Sequence, residues 1–445
     1  MTTQKNSLEH WLAPQRPRAL RHSFTLPGSK SLTNRELVLA ALATGPSTVK
    51  RPLHSRDTAL MIAGLEALGA TITEVPGDGE FGPDLKVTPI PLGAHIPEVH
   101  IDCGLAGTVM RFLPPVAALF PGTVHFDGDL AARRRPMKTM VDALTQLGVA
   151  VEATNEGLPF TMTTPEQLVA TTITIDASSS SQFVSGLLLV AARMPGGLTV
   201  IHQGKRLPSL PHIDMTIEAL RHRGVEVLTP ETGVWTVSSG PIEPLDVEIE
   251  PDLSNAAPFL AAPLITGGVI TLNRWPETTT QVGADVPRLL EAFGATVTRS
   301  PGSMTIDGGI GWQNGGTFPG VSLDLSHAGE LAPTLVTLAT LASTPSRFHG
   351  IGHLRGHETD RIQALVSNIN GLDGFGLEQP DGIAVMPTPL DGGVWKSYED
   401  HRMATSGALI GLAVRGVSVD DIACTHKTLP EFEQLWAELV ESPDS

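Results

Sequence analysis

The sequence predicts an α/β protein built from six similar units in two lobes, and an internal repeat is the main reason. Six segments begin with small polar residues, continue through an Ala/Leu-rich helical stretch, turn at Gly or Pro and end in a β-branched run. They recur about every 74 residues, beginning at Ser31, Gly107, Ser181, Ser254, Gly329 and His401. The common solenoids have shorter units of roughly 20–50 residues, so this repeat favours small α/β units grouped three to a lobe.

A second helical element interleaves with the first and ends at a glycine before a strand. Its copies are GLEALGATI, ALTQLGVAV, ALRHRGVEV and LLEAFGATV, which end at Gly69, Gly148, Gly224 and Gly294, and a degenerate fifth copy ends near Gly376. Glycine commonly follows the last helical residue because it enters the left-handed region without a Cβ penalty. Each unit is therefore expected to hold two helices and several short strands. The extended stretch near 240–252 is expected to separate the third unit from the fourth.

Composition limits the classes of function. The 445 residues include 47 Asp plus Glu and 30 Lys plus Arg, a formal net charge of −17. Phosphate backbones and anionic membranes repel so acidic a chain, so neither nucleic acid nor a membrane is an expected partner. Two cysteines, Cys103 and Cys424, cannot form a disulfide framework, and no CxxC pair indicates zinc. The apolar runs are too short to span a bilayer and no signal peptide is visible, which predicts a cytoplasmic enzyme.

Cations stand at the starts of several repeated helices, where the fold alone does not require them. Lys30 and Arg35 lie in the first unit, Arg111 in the second and Arg402 in the sixth. A cation in the first turn opposes the helix dipole, whereas the free N–H groups there attract phosphate and carboxylate. N-capping explains the serines and glycines at these starts but not the cations. An anionic ligand resolves the conflict.

Two other motifs give weaker predictions. The GSKS segment at 28–31 lacks the Gly directly before Lys that a P-loop requires. His349, His353 and His357 are spaced by four, but the glycines between them break any helix that would place three imidazoles on one face. Neither a metal site nor a cofactor is therefore expected.

Seven segments together resemble the 5-enolpyruvylshikimate-3-phosphate synthase family of enolpyruvyl transferases. In chain order they are LPGSKSLTNR (26–35), GLAGTVMR (104–111), RRRPM (133–137), SSSSQF (178–183), HETDR (357–361), YEDHRM (398–403) and HKTLPEF (426–432). The motifs are long and cover nearly the whole chain in the family's order. The resemblance implies an inside-out α/β barrel fold with six βαβαββ-type repeats in two lobes. It places residues 1–24 plus 250–445 in the first lobe, residues 25–249 in the second, and the active site in the cleft between them.

The resemblance also implies a reaction. The family transfers the enolpyruvyl group of phosphoenolpyruvate to the 5-hydroxyl of shikimate 3-phosphate and releases phosphate, in the shikimate pathway to chorismate and aromatic amino acids. The transfer passes through a tetrahedral adduct, which requires a base at the hydroxyl and an acid at C3. Glu330 matches the base, Glu358 the acid and Lys30 a possible proton shuttle. The partners are small molecules only, the protein is expected to be a monomer, and glyphosate, a phosphoenolpyruvate mimic, is expected to inhibit it.

The binding residues follow from the same motif matches. Around shikimate 3-phosphate the resemblance places Lys30, Ser31, Arg35, Ser180, Ser181, Gln182, Ser209, Glu330 and His357. Around phosphoenolpyruvate it places Lys30, Gly107, Arg135, Gln182, Arg361, Arg402 and Lys427. Arginine suits the second substrate because its fork binds carboxylate and phosphate bidentately. Leu105, His212 and His357 depart from the common family pattern, and their contacts stay open.

Two alternative functions also stay open. A UDP-N-acetylglucosamine enolpyruvyl transferase shares the fold and chemistry, but it is expected to carry a reactive loop cysteine and a Lys-Asn pair. Here Ser31 follows Lys30, and Cys103 lies outside the 133–135 loop. A non-catalytic phosphate-ligand-binding protein would need the cations but not the two carboxylates.

Overall fold

The computed structural model describes residues 10–153 and 156–442. Two compact units are present, one formed by Pro27–Glu250 and the other by the described residues of Met1–Leu26 and Pro251–Ser445. We call them the inserted unit and the terminal unit. Among the described residues, none of the helices combines the length and the apolar character that crossing a membrane requires.

The described residues form 23 strands, twelve α-helices and six 3-10 helices. The strands are β1 (Trp11–Leu12), β2 (Leu20–Phe24), β3 (Ser47–Lys50), β4 (Thr71–Val75), β5 (Asp84–Thr88), β6 (Ile96–Asp102), β7 (Gly122–Asp127), β8 (Ala150–Ala153), β9 (Phe160–Thr164), β10 (Thr172–Ile175), β11 (Leu198–His202), β12 (Val227–Glu231), β13 (Val234–Val237), β14 (Val247–Glu248), β15 (Gly268–Asn273), β16 (Thr296–Ser300), β17 (Ser303–Asp307), β18 (Ser322–Asp324), β19 (Ser346–His349), β20 (Phe375–Gln379), β21 (Gly382–Met386), β22 (Val394–Trp395) and β23 (Ser418–Val419). The α-helices are α1 (Lys30–Leu42), α2 (Arg56–Ala67), α3 (Gly107–Ala117), α4 (Lys138–Gln146), α5 (Gln182–Ala191), α6 (Leu210–His222), α7 (Ala257–Thr266), α8 (Val286–Ala292), α9 (Ala332–Ala339), α10 (Arg361–Gly371), α11 (His401–Ala413) and α12 (Phe432–Glu441). The 3-10 helices span Ala132–Arg134, Val282–Asp285, Trp312–Asn314, Gly329–Leu331, Gly352–Gly356 and Ala423–Lys427.

The inserted unit contains three four-stranded sheets with one strand plan, in the orders β14-β3-β5-β4, β6-β7-β9-β8 and β10-β11-β13-β12. In each sheet the first two strands are parallel and the other pairs are antiparallel. The second and third sheets follow the chain order β-α-β-α-β-β. The first sheet takes its parallel strand, β14, from the end of the unit, inside the stretch that the sequence predicts to be extended.

Two sheets of the terminal unit repeat this plan and the third has three strands, and the strands come from both ends of the chain. Its sheets have the orders β16-β17-β15-β2, β18-β19-β21-β20 and β1-β23-β22. The N-terminal strands β1 and β2 complete two sheets whose other strands lie beyond residue 251. The predicted α/β class and βαβαββ repeats are confirmed, and the described strands form six separate sheets rather than one closed barrel.

The helices that begin the predicted repeats form the core of each unit. In the inserted unit α1, α3 and α5 pack against one another, and every residue of α3 is buried. In the terminal unit α11 packs against α7 and α9. Helices that are apolar on all sides belong in the interior of a domain. At Gly186 of α5 a Cβ would collide with the Arg111 carbonyl of α3, so glycine allows the two helices to approach closely.

Candidate active site

In the inserted unit, the predicted binding residues Lys30, Gly107 and Gln182 are the first residues of α1, α3 and α5. Asn34 in α1 donates a hydrogen bond of 2.6 Å to the Thr108 hydroxyl in α3, which holds these helix starts side by side. The free N–H groups of such starts favour an anion. Arg35 in α1 also donates a hydrogen bond of 3.3 Å to the Ser185 hydroxyl in α5, so the packing brings together positions that are 150 residues apart in the chain.

Gly107 lies within a cradle of three polar side chains. A Cβ at this position would lie 2.9 Å from Gln182 Oε1, 3.0 Å from Arg135 Nη2 and 3.2 Å from Arg111 Nη1. Gln182 Oε1 and Arg135 Nε are buried and have no hydrogen-bond partner among the described residues. A buried polar atom without a partner is costly in a folded protein, so a ligand with polar atoms fits this cradle.

The two arginines of the cradle are held by carbonyl groups. Arg135 donates to the Leu105 carbonyl over 3.1 Å. Arg111 donates to the Pro136 carbonyl over 3.1 Å, and its guanidinium lies 5.6 Å from the centre of the Phe183 ring. Both side chains are buried, so their charge is weakly screened and acts strongly on an anion in the cradle.

Lys30 is paired with a carboxylate that sequence reasoning missed. Its Nζ lies 3.4 Å from Asp57 Oδ2, and the Asp57 side chain is only 1% exposed. Asp57 is in the first turn of α2, where Ser55 caps the helix by accepting from the Thr58 N–H. An acidic residue in a first turn is common, so no sequence pattern distinguishes Asp57 from a carboxylate that only stabilises the helix dipole.

Arg35 is placed differently from the other predicted ligands. Its guanidinium is buried, donates to the Ser31 carbonyl over 2.8 Å and the His212 carbonyl over 2.9 Å, and donates from Nε to the Thr216 hydroxyl over 2.8 Å. These bonds join the start of α1 to α6. Arg35 thus holds the Ser31 and His212 carbonyls, and the direct contact with substrate that the resemblance implies stays a prediction.

The predicted serines lie at two turns that begin helices. In the first turn, the Asp176 carboxylate accepts from the Ser178 N–H over 2.9 Å, and Ser180 Oγ accepts from the Gln182 N–H over 3.2 Å. Hydrogen bonds from the Ser178 hydroxyl and N–H lower the pKa of Asp176. In the second turn, Ser209 precedes α6 with φ of 54° and ψ of 48°. This left-handed conformation is uncommon for a non-glycine residue and is often found at ligand sites.

The terminal unit gathers a network of charged groups around Arg361, which is 2% exposed. Its Nε lies 2.7 Å from Asp400 Oδ2, and its Nη2 lies 3.1 Å from Glu358 Oε2. Lys427 Nζ contacts the other oxygen of Glu358 over 2.7 Å. Burial disfavours the charged guanidinium, but the carboxylates of Asp400 and Glu358 outweigh it and raise the pKa of Arg361. Arg361 is therefore a permanent cation.

Glu330 forms a second carboxylate site in this unit. The Ser254 hydroxyl donates a short hydrogen bond to Glu330 Oε1, and Arg402 Nη2 lies 3.6 Å from the same oxygen. Both charged side chains remain partly exposed, at 17% for Glu330 and 16% for Arg402. Arg402 also donates to the Ser254 carbonyl over 3.4 Å. Glu330 is thus oriented and still accessible.

The turn before α11 is unusual in its backbone. Tyr398 and Glu399 both have positive φ, at 55° and 57°, although neither is glycine. The next residue, Asp400, caps α11 by accepting from the Arg402 N–H over 2.9 Å while also holding Arg361. Consecutive left-handed residues cost energy and occur where a site requires a fixed geometry. Here they direct Asp400 and Arg402 to their partners.

His357 lies beside Glu358, at the edge of the network around Arg361. His357 Nδ1 lies 3.8 Å from Glu358 Oε2, with its side chain 31% exposed. The residues that sequence reasoning left out are Asp57, Ser254 and Asp400, each in contact with a predicted site residue. Ser254 begins a predicted repeat and Asp400 belongs to the YEDHRM motif, so both carried a signal. The surplus of Lys and Arg at these sites suits anions, because its positive potential attracts them and repels metal cations.

The EPSP synthase (3-phosphoshikimate 1-carboxyvinyltransferase) family model matches residues 14–436. The chain belongs to this family. A protein from Kocuria rhizophila named 3-phosphoshikimate 1-carboxyvinyltransferase is 52% identical over 447 residues, covering 98% of this chain and 99% of that protein.

Solved structures show the same fold. An EPSP synthase from Acinetobacter baumannii aligns with a TM-score of 0.76 at 23% identity, covering 97% of each chain. The enolpyruvyl transferase NikO from Streptomyces tendae aligns with a TM-score of 0.74 at 18% identity, covering 96% of each chain. At these identities the similarity supports the enolpyruvyl transferase fold.

Proposed function

We propose that the protein transfers the enolpyruvyl group of phosphoenolpyruvate to the 5-hydroxyl of shikimate 3-phosphate and releases phosphate. The family membership and the 52% identical relative support this reaction. The observation that carries it is the presence of two separately held carboxylates, Glu330 and Glu358, each beside cations. A protein that only bound phosphate ligands would have no use for them.

Glu330 is the proposed base. The Ser254 hydroxyl and Arg402 orient this carboxylate, which we propose accepts the proton of the 5-hydroxyl. The hydroxyl oxygen then attacks C2 of phosphoenolpyruvate. A general base must lie within hydrogen-bond reach of the proton it removes, and its partial exposure makes Glu330 accessible to a substrate.

Glu358 and Lys427 are the proposed source of the proton for C3. Glu358 lies beside Lys427 at Oε1 and beside Arg361 at Oε2, so the proposed donor is a pair of side chains. Lys427 Nζ donates a hydrogen bond of 2.7 Å to Glu358 Oε1. We propose that Lys427 supplies the proton and that Glu358 passes it to C3. The tetrahedral adduct then loses phosphate, which leaves with the proton that Glu330 took from the 5-hydroxyl, and one proton of C3 returns to the Glu358–Lys427 pair as the enol double bond re-forms. Lys30, held by Asp57, is a proposed shuttle.

The remaining residues bind the two anionic substrates. Gly107 and two side chains of its cradle, those of Arg135 and Gln182, are proposed to bind phosphoenolpyruvate together with Lys30. Arg361, Arg402 and Lys427 of the terminal unit are proposed to act on the same molecule. Positioned cations stabilise the charge that develops as phosphate departs.

For shikimate 3-phosphate we propose contacts from Lys30, Ser31, Arg35, Ser180, Ser181, Gln182, Ser209, Glu330 and His357, and Arg35 also holds the Ser31 carbonyl. The two turns with the serines offer hydroxyl and N–H donors, which suit a phosphate and neighbouring hydroxyl groups.

Phosphate release tests this proposal. Purified protein is given phosphoenolpyruvate with shikimate 3-phosphate, with UDP-N-acetylglucosamine, or with neither acceptor. Phosphate should be released only when shikimate 3-phosphate is present. Release of phosphate without any acceptor, or only with UDP-N-acetylglucosamine, would contradict the proposal. Glu330→Gln and Glu358→Gln should each lower kcat at least about 100-fold. Glu226→Gln, which alters an exposed carboxylate bonded to Ser238, is the matched control and should keep full activity.

We also propose that the enzyme is a monomer in the cytoplasm. The acidic composition and the chemistry of small phosphorylated metabolites support this placement. Sedimentation equilibrium of the purified protein should give the mass of one chain. A mass of two or more chains at micromolar concentration would contradict the monomer.

A further inference from the structure

A cluster of Glu98, His100 and His125 lies on the second sheet of the inserted unit, apart from the residues assigned to the reaction. His100 in β6 and His125 in β7 are register partners in a parallel pair, and Glu98 is two residues before His100. Residues two apart in a strand point to the same face of a sheet. In the described part of the chain, this is the one group of three or more such side chains whose ligand atoms lie within 4.8 Å of one another.

The side chains already contact each other. His125 Nε2 lies 2.7 Å from Glu98 Oε1, and the two imidazole rings stack with centroids 4.4 Å apart. On its other side, His125 Nδ1 lies 2.8 Å from the Thr161 hydroxyl of the neighbouring strand β9. The row thus contains two imidazoles, a carboxylate and a hydroxyl that fixes the orientation of one imidazole.

We propose that Glu98, His100 and His125 bind one zinc ion, with solvent at the fourth position. Two imidazoles and one carboxylate form a typical three-residue ligand set for Zn²⁺, whereas Mg²⁺ and Ca²⁺ prefer oxygen ligands alone. Zn–N and Zn–O distances of about 2.0–2.2 Å require the three ligand atoms to converge further. The Glu98 side chain is 69% exposed and can rotate without disturbing the core.

The surroundings favour a cation and supply an outer contact. The cluster borders a surface cavity of about 590 Å³ that is also lined by Asp102, Asp127 and Glu152. Asp127 is paired with Arg133, which leaves Asp102 and Glu152 to add negative potential. A zinc-bound histidine usually donates its other ring N–H to a nearby acceptor, and the Thr161 hydroxyl is placed to accept it. Zinc would then join β6 to β7.

Zinc titration calorimetry of the full chain tests the site. One zinc ion is expected to bind with a Kd in the micromolar range or below, and His100→Ala or His125→Ala should each weaken binding at least tenfold. Thr161→Val should weaken it about 10–100-fold, as is usual for the loss of an outer contact. Each variant is also assayed for phosphate release from phosphoenolpyruvate with shikimate 3-phosphate, and retained activity shows that the variant is folded.

His222→Ala is the matched control. This exposed histidine lies 3.7 Å from Glu218 on α6 and is not part of the group that could hold a metal. Zinc binding should be unchanged in this variant. If a histidine variant of the cluster fails to fold, Glu98→Gln replaces it and should weaken zinc at least tenfold. The proposal is overturned if the wild type binds no zinc at 100-fold molar excess, or if the cluster variants keep its affinity within twofold.

Discussion

At the scale of single residues, Gly107 leaves the space that the proposed binding site needs. A Cβ at Gly107 would approach Gln182 Oε1 and Arg135 Nη2 within 3.0 Å, inside the proposed binding site for phosphoenolpyruvate. The ends of these side chains can move, so the protein should still fold. They cannot then hold the same anion in the same place. The absence of one side chain therefore maintains the shape of the cradle.

We expect Gly107→Ala to raise the KM for phosphoenolpyruvate and the inhibition constant for glyphosate by roughly tenfold or more, since overpacking costs about 1–3 kcal/mol. Steady-state kinetics with and without glyphosate measure both constants. Gly240→Ala is the control because a Cβ there meets no atom within 4 Å. Unchanged constants in Gly107→Ala would show that the cradle does not bind this anion.

The cysteines separate the proposed reaction from its closest alternative. Burial raises the pKa of the Cys103 thiol and of the Cys424 thiol above the ordinary value of about 8.5. A raised pKa leaves the thiol protonated and unreactive until the pH exceeds it. Neither cysteine fits the reactive nucleophile expected of a UDP-N-acetylglucosamine enolpyruvyl transferase.

Iodoacetamide at pH 7.5 is therefore expected to leave the activity of the native enzyme unchanged. Mass spectrometry should find Cys103 labelled only after unfolding in urea. Loss of activity in proportion to labelling of native Cys103 would contradict this prediction. The Cys103→Ser variant, whose activity should resist the reagent in either case, is the control.

At the scale of elements, the turn before α5 depends on Asp176. Its carboxylate accepts from the Ser178 N–H at the start of the 178–181 serine run, and these hydrogen bonds lower its pKa. A lowered pKa means that the turn favours the carboxylate. The contribution of Asp176 to the free energy of unfolding is therefore fully present above about pH 3.9, the ordinary pKa of Asp in an unfolded chain. It is lost as the pH falls through the lower pKa of the folded state.

Asp176→Ala should raise the KM for shikimate 3-phosphate several-fold with little change in kcat, because it loosens the serines rather than the proposed acid and base. The variant should also lose less stability than the wild type when pH falls below about 4. Steady-state kinetics and urea unfolding at pH 3.5 and pH 7 measure these effects. Asp142→Ala removes an exposed carboxylate paired only with Lys138 on the same helix, and it should change neither quantity.

A buried ion pair joins two other elements of the inserted unit. Glu36 in α1 lies 2.7 Å from Arg223 at the end of α6, and both side chains are buried. Removing one partner leaves the other charge buried without its counterion. Glu36→Ala should therefore lower the free energy of unfolding by about 3–5 kcal/mol, whereas the double variant Glu36→Met/Arg223→Met should recover most of it. Urea unfolding measures both, and equal losses in the two variants would contradict the assigned role.

The elements also show what the sequence could predict. The repeat starts at Gly107 and His401 are the first residues of α3 and α11, and the helix stops at Gly69, Gly148, Gly224 and Gly294 all have positive φ. The predicted stop near Gly376 is wrong in detail. Helix α10 ends at Gly371, Asp373 takes the left-handed conformation, and Gly376 lies within β20. Local patterns could predict these features because helix ends depend on local backbone chemistry.

Contacts between distant segments could not be predicted in this way. The pairing of Lys30 with Asp57 joins two helices, and the His100–His125 pair depends on the register of two strands. The distance along the sequence between the two residues of each pair matches neither a helical nor a strand period. Most of the candidate site was found through the family resemblance, and the assigned roles of those residues stay predictions until the variants are measured.

At the scale of the whole molecule, a net charge of −17 coexists with sites rich in Lys and Arg. The net charge governs how the surface meets extended polyanions, whereas a buried site responds to its nearest charges. Arg361, Arg135 and Lys427 are all less than 10% exposed. An acidic protein can therefore bind two small anions.

The most direct test of the proposed reaction follows one oxygen atom. Phosphoenolpyruvate that carries ¹⁸O as the oxygen bridging C2 and phosphorus is incubated with shikimate 3-phosphate and the enzyme. The mass of each product is then measured by mass spectrometry. Addition to C2 followed by loss of phosphate breaks the C–O bond, so all of the ¹⁸O should appear in inorganic phosphate and the product should carry an unlabelled enolpyruvyl ether. Label retained in pyruvate or in the enolpyruvyl product would contradict transfer through the tetrahedral adduct.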